Sequence, residues 1–325
     1  MTSTIRPGMT IPLPGPLHTH AAGLGELADL GYTDVWSAEA DDADAFTPLA
    51  LAAAWEPRLR LGTAIVPAYT RAPACLAECA ASLADAAPGR FAIGIGSSSN
   101  VIVERWNAVP FVHPYQRVRD VVRFLRDALT GEKIAKSYDS FEIKGFRMTI
   151  RPEVPPPILV AALREGMLRL AGREADGAII NWLAPDDVKV VAPIVRSYGE
   201  DKEIVARIFV CPSEDVDAVR AAGRFAIASY LNVPVYAAFH QWLGRGPLLQ
   251  PMWDAWRAGD RKAALAAIPD EVVDALIVHG SPADCRATIQ RYFDNGVNTS
   301  SLAILPLDRS LDFWDAARML APTSP

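Results

Sequence analysis

An α/β fold, a single (β/α)8 TIM barrel over residues 1–325, is what this sequence predicts, and three observations carry the prediction. Short apolar runs of strand length alternate with segments whose apolar residues recur at helical spacing. Eight such units specify a parallel sheet, and closure into a barrel is its simplest outcome. No Gly-x-Gly-x-x-Gly follows the first strand, so the usual mark of an open dinucleotide-binding sheet is missing; a doubly wound open sheet is the alternative. The third observation is Arg90–Asn100, RFAIGIGSSSN, where a charge-free apolar run opens into Gly, three Ser and Asn. A buried strand ending in small polar residues is how α/β folds build sites at the carboxyl ends of their strands. A tight strand-to-helix turn would use the same residues.

Taken in order, Met9–Leu13 reads as the first strand, closed by Pro14-Gly15-Pro16, and Leu17–Leu30 as a helix stopped by Gly31. Thr33–Ser37 is the second strand, and the helix from Thr47 to Trp55 ends before Pro57. Arg60–Pro67 is the third strand, Ala74–Ala86 its helix, and Arg90–Gly96 the fourth strand. Tyr115–Leu129 is helical. Tyr138–Ile150 then alternates with period two around Lys144-Gly145, a hairpin inserted after the fourth strand. Beyond the proline-dense Val154–Pro157 come the fifth strand Ile158–Ala162, the helix Gly166–Arg173, the sixth strand Gly177–Asn181 and the seventh strand Ile204–Cys211. Asp215–Leu231 is helical. Residues 233–278 are longer than an ordinary connection and read as a second insertion, after strand seven, shaping the substrate side. Pro282–Asn295, Thr299–Leu305 and Leu311–Leu320 supply a helix, the eighth strand and a closing helix.

Composition narrows the function classes. A net charge of −6 with no basic stripe argues against nucleic acid, and no run of about 20 apolar residues could span a membrane. The N-terminus lacks a basic segment followed by an apolar core, and four cysteines make no disulfide framework in a chain of 325 residues; both point to the cytoplasm. Cys75 and Cys79 lie one helical turn apart, yet no His or acidic partner sits at zinc-like spacing, so no metal site is expected.

In a barrel the active site lies at the carboxyl ends of the strands. Those ends carry Glu39 after strand two, Val66–Tyr69 after three, Gly96–Asn100 after four, Ala162–Glu165 after five and Asn181-Trp182 after six. This rim is poor in acids, bases and ligands, which suggests that a cofactor carries the reaction. Glu39 is the one carboxylate placed at a strand end, and Tyr69 is a candidate proton donor; each could equally be a plain rim residue. Trp106 and Trp182 fit packing as well as a cofactor platform, Arg164 fits a phosphate contact or a helix cap, and His18 and His20 read as solvated. A barrel lyase or aldolase would need a strand-end Lys for a Schiff base, and none is found.

The stretches LGYTDVWSAEA, ADAFTPLALAAA, LRLGTAIVPAYTR, GRFAIGIGSSSNVIVERW, PPPILVAAL, LRLAGREADGAIINW and VHGSPADCRATIQRYFDNGV together resemble the bacterial-luciferase-like flavin and deazaflavin oxidoreductases. Within them the chain is most similar to the actinobacterial coenzyme F420-dependent subgroup. The resemblance implies a barrel with insertions, usually a homodimer, and a non-proline cis peptide in the third strand matching Thr63-Ala64-Ile65, at the Ala64–Ile65 bond. It implies cofactor contacts at Gly96, Ser97 and Ser98, at Ala161, Ala162, Leu163 and Arg164, and at Asn181. Many relatives have Gly-Gly where Leu163-Arg164 stand, and several have His at Glu39. The implied activity is hydride transfer between coenzyme F420 and a small organic substrate, with Glu39 or Tyr69 managing a proton. An FMN-dependent monooxygenase and a non-catalytic cofactor-binding relative are the alternatives. The homodimer interface is expected on the helix Ala74–Ala86, whose residues are nearly all small and apolar.

Overall fold

The computed structural model describes residues 4–307 and 311–322. Among them, eight strands, all parallel, close into a barrel: Gly8–Ile11, Asp34–Ser37, Arg60–Thr63, Phe91–Gly96, Ile158–Ala161, Gly177–Asn181, Glu203–Cys211 and Thr299–Ile304. Each pairs with its sequence neighbours, and the eighth returns to the first at Met9 and Leu302. The closed ring removes the open-sheet alternative.

Alternation sends every second residue of these strands inward. At mid-height the lumen is filled by Trp36, Ala92, Leu159, Ile179 and Val205, with Ala64 and Ile65 packed against them. The Trp36 ring is fully buried and occupies the space where Gly62 would otherwise carry a side chain; a Cβ there would sit 2.1 Å from the ring. Below this plug the amino ends of the strands bring charges together. Arg60 Nη1 and Nη2 each donate to a Glu203 carboxylate oxygen at 2.7 Å, and Arg60 Nη1 donates to Asp34 at 3.1 Å. Thr299 donates to Glu203 at 2.7 Å, and the Arg60 guanidinium lies 5.6 Å from the Trp36 ring centroid. A larger apolar core lies between the barrel and its helices.

Several elements depart from the sequence-based expectations. The third strand is not continuous to Pro67: it stops at Thr63, passes the cis Ala64–Ile65 bond, and resumes as Val66–Pro67 against the fourth strand. The hairpin is Ile134–Ser137 with Glu142–Phe146, and its turn is at Tyr138–Phe141 rather than Lys144-Gly145. Gly145, at φ 87°, instead lies at the bulge where the register shifts, so a glycine that resembles a turn signal serves a mid-strand irregularity. A helix, Val188–Arg196, fills the connection after strand six, where none was expected, because Pro193 inside it reads as a breaker. Residues 233–278 hold the helices Pro234–Trp242, Gly246–Arg257, Arg261–Ala266 and Asp270–Leu276 and the start of a short strand, Ile277–His279, on the seventh strand's flank.

The helix Pro73–Ala86 buries Leu76, Ala77, Ala80, Ala81, Leu83 and Ala84 within the chain. Its exposed stripe is Cys75, Glu78, Ser82 and Asp85, so its apolar surface is already satisfied and supplies no argument for a dimer interface. His20 is buried, not solvated, with Nε2 3.0 Å from the Gly15 carbonyl oxygen. No helix among the described residues is long and apolar enough to cross a membrane.

Candidate active site

The barrel mouth is built around the interruption of the third strand. Where the ladder between strands three and four breaks, Thr63 takes its place: its hydroxyl donates to the Gly94 carbonyl and accepts from the Gly94 N–H, both at 2.8 Å. A Cβ on Gly94 would lie 2.0 Å from the Thr63 carbonyl oxygen, so only glycine allows this approach. Beyond the Ala64–Ile65 bond, the Ile65 carbonyl accepts from Glu39 N–H at 3.0 Å, and Ala64 N–H donates to Ser37 at 2.6 Å. The second and third strand ends are thereby tied across the kink.

Strands four and five end side by side. Gly96 abuts Ala161 and Ile65 so closely that a Cβ would meet them at 2.8 and 3.1 Å. After them the chain runs through Ser97 and Ser98 on one side and Ala162, Leu163 and Arg164 on the other. Ala162 N–H is spent on the Ile179 carbonyl, whereas the N–H groups of Ser97, Ser98, Leu163 and Arg164 have no protein acceptor among the described residues. Ser98 has φ 60°, a left-handed conformation that non-glycine residues rarely adopt and that often marks functional loops. Arg164 is exposed at the start of the helix Glu165–Glu174 and has no side-chain partner among the described residues. Two adjacent loops with free N–H donors, one flanked by a free guanidinium, suit a phosphate-bearing ligand.

Neither expected proton donor is idle. Glu39 stands at the second strand's end as anticipated, but both of its oxygens are occupied: Thr70 donates to Oε1 at 2.9 Å, and Arg71 Nε and Nη2 donate to Oε2 at 3.1 and 2.8 Å. Both Glu39 oxygens are therefore committed to neighbouring side chains. Tyr69 is buried, and its hydroxyl donates to the Val112 carbonyl at 2.7 Å. Burial pushes that hydroxyl up to about 12, against the pull of Arg117.

Asn181 faces the lumen at the sixth strand's end. Its Nδ2 donates to the Tyr236 hydroxyl at 3.1 Å, and its Oδ1 accepts from Trp182 N–H at 3.0 Å. Trp182, at φ 54°, is buried and stacked on Phe209 with centroids 3.9 Å apart, so packing accounts for it; Trp106 is exposed. Reading the rim only to strand six missed the seventh strand. Arg207 and Phe209 project inward two and four residues beyond Val205 of the lumen plug, and Tyr236 comes from residues 233–278. The periodicity of Val205-x-Arg207-x-Phe209 was the available signal. His240, in the same added segment, is fully buried; burial first and the Arg245 charge second push its ring down to about 3.

The barrel mouth combines a kinked third strand with N–H donors on two loops that have no protein acceptor among the described residues. The chain belongs to the luciferase-like monooxygenase family, whose pattern it matches over residues 3–299. It is 28% identical over 288 residues to the 5,10-methylenetetrahydromethanopterin reductase of Methanolobus tindarius, covering 86% of this chain and 87% of that one. Its fold is similar to the coenzyme F420-dependent tetrahydromethanopterin reductase of Methanopyrus kandleri (TM-score 0.82, 19% identity, 98% and 97% of the two chains). It is also similar to the oxygenating constituent of 3,6-diketocamphane monooxygenase from Pseudomonas putida in complex with FMN (TM-score 0.67, 15% identity, 98% and 97%).

Proposed function

We propose that this protein is an oxidoreductase that uses coenzyme F420 to move a hydride to or from a small organic substrate. The observation that carries the reading is the mouth itself: a non-polar shelf at Ala64–Ile65 beside two loops in which the Ser97, Ser98, Leu163 and Arg164 N–H groups have no protein acceptor among the described residues. Family membership supports an oxidoreductase, and the names of the reductase relatives favour a deazaflavin. The FMN-containing neighbour keeps FMN as the competing cofactor.

In this reading Thr63, Ala64, Ile65 and Gly96 form the shelf for the ring. Ser97 and Ser98, with Ala161, Ala162, Leu163 and Arg164, would hold the phosphate-bearing tail, and Asn181 would contact the cofactor from the sixth strand's end. When bound, the deazaflavin supplies a two-electron hydride carrier, a chemistry that side chains lack. The chain contributes position and dryness: the lumen plug under Ala64 and Ile65 keeps water from below. Glu39 acts through Arg71, fixing Thr70 and Arg71 at the second and third strand ends, and the proton is exchanged with solvent. Residues 233–278 wall the substrate side, and the active form is a cytoplasmic homodimer.

The test is turnover: reduced coenzyme F420 mixed with a panel of enones, imines and ketones, followed by return of the oxidised deazaflavin's visible absorbance. Enzyme-dependent oxidation by at least one class is the expected result. No oxidation across the panel, in either direction, would favour a non-catalytic binding protein.

A further inference from the structure

The seventh strand places a cation in the lumen that no other described residue pairs. Arg207 lies two residues above Val205 of the apolar plug and is in register with Asn181 on one side and Ser301 on the other. Every other interior charge below it is matched: Arg60 holds Glu203 and Asp34. At the mouth, Arg71 holds Glu39. Arg207 makes no hydrogen bond or ion pair among the described residues, and its Nε is buried without an acceptor. The residue is partly exposed, so solvent reaches it from the mouth. Its guanidinium stacks 5.0 Å from the Phe209 ring centroid.

The Arg207 Nε is buried without an acceptor while the rest of the guanidinium meets the mouth, so an anion entering there would find an unpaired cation already in place. The surroundings indicate which anion would satisfy it. Ser301 and Thr10 share a 3.0 Å hydrogen bond between the neighbouring eighth and first strands, and Asn181 binds the Tyr236 hydroxyl, so neutral polar groups flank the cation just above the plug. Above Phe209 an aromatic corner continues through Trp182, Tyr230 and Tyr236, with successive centroids 3.9, 5.1 and 6.2 Å apart. One planar fork suits one carboxylate, bound through two parallel N–H···O bonds, and an aromatic wall suits a flat, conjugated body.

We propose that Arg207 is the substrate's anion anchor and that the substrate is a planar carboxylate whose conjugated part lies along the Phe209, Tyr230 and Tyr236 rings, with Trp182 packed behind them. This rests on the oxidoreductase reading, but its test does not depend on the cofactor. Titration calorimetry with the full chain, without and with coenzyme F420, would compare cinnamate with cinnamamide and benzoate with benzamide. Inorganic phosphate serves as a generic anion. The expected result is at least a tenfold preference for each carboxylate over its amide and over phosphate. In Arg207→Met that preference falls to within twofold, while Arg207→Lys keeps part of it and F420 affinity changes less than threefold.

Equal binding of acid and amide, equal binding of phosphate, or no binding of either pair overturns the proposal. So does loss of F420 affinity in Arg207→Met, which would assign the arginine to the cofactor. Should Arg207→Met fail to fold, the wild-type acid-to-amide ratio decides alone. A carboxylate preference in a protein that binds no F420 would sink the cofactor reading and leave the anchor standing.

Discussion

Replacing Arg60 by Met should expose how much the barrel rests on its charged base. Arg60 donates two 2.7 Å bonds to Glu203 and one of 3.1 Å to Asp34, with 13%, 19% and 0% of the three side chains exposed. Methionine keeps the packing under Trp36 but strands two carboxylates. Removing one partner of a buried pair costs about 3–5 kcal/mol, and partial exposure of Glu203 places this case near about 3 kcal/mol. With an m-value near 3 kcal/mol/M, the urea midpoint falls by roughly 1 M.

The pH dependence supplies a second signature. In the wild type, burial raises the Glu203 carboxyl, but the Arg60 bonds and charge outweigh it and leave it below its usual range. That stabilisation is present above the unfolded value and is lost as pH falls through the folded one. Asp34 is raised, because burial exceeds the pull of Arg60. Without Arg60, burial governs both groups, so the variant gains more stability than the wild type as pH falls from neutral toward the carboxylate range. Arg60→Met/Glu203→Gln should recover part of the loss at pH 7. A loss below about 1 kcal/mol, or an unchanged pH profile, would refute the reasoning.

Three further outcomes follow from the site. Thr63→Val keeps the shape of the side chain but orphans the buried Gly94 N–H and carbonyl; at about 1–3 kcal/mol each it should cost roughly 2–6 kcal/mol in urea unfolding, with Thr63→Ser close to wild type. Glu39→Gln retains an oxygen for Thr70 but loses the ion pair with Arg71, so F420 affinity should hold within about threefold and turnover within about tenfold; a fall on the order of 10²-fold would restore the acid role to Glu39. Because His240 protonates only near pH 3 when folded, whereas the unfolded chain takes that proton near 6.5, unfolding takes up a proton between these values. Stability should therefore drop toward acid by up to about 1.4 kcal/mol per pH unit, and His240→Phe should flatten that slope in urea midpoints measured at pH 7 and 5.

What the sequence made legible was local and periodic. Alternating strand and helix patterns gave all eight barrel strands, and the resemblance pointed to the Ala64–Ile65 bond that is cis in the structure. What it hid was pairing across the barrel. Nothing near Glu39 announces Arg71, 32 residues on, because the two meet where the parallel second and third strands end side by side, with a helix between them in the chain. Thr63 reads as an ordinary strand residue until the ladder beside Gly94 breaks and its hydroxyl fills the gap. Arg207 was passed over because a lone charge in a strand resembles a solvated edge; only the inward phase set by Val205 puts it in the lumen. Pro193 disguised a helix whose missing N–H bond is tolerated because Val188, Val191, Ala192 and Val195 bury its apolar face.

The central claim concerns which cofactor the mouth receives. Fluorescence-quenching titrations of the same preparation with purified coenzyme F420 and with FMN measure it directly. The account predicts saturable F420 binding at least tenfold tighter than FMN, weakened when Arg164 is replaced by Ala to remove the free guanidinium beside the two loops. Tighter binding of FMN, or no binding of F420, would contradict it.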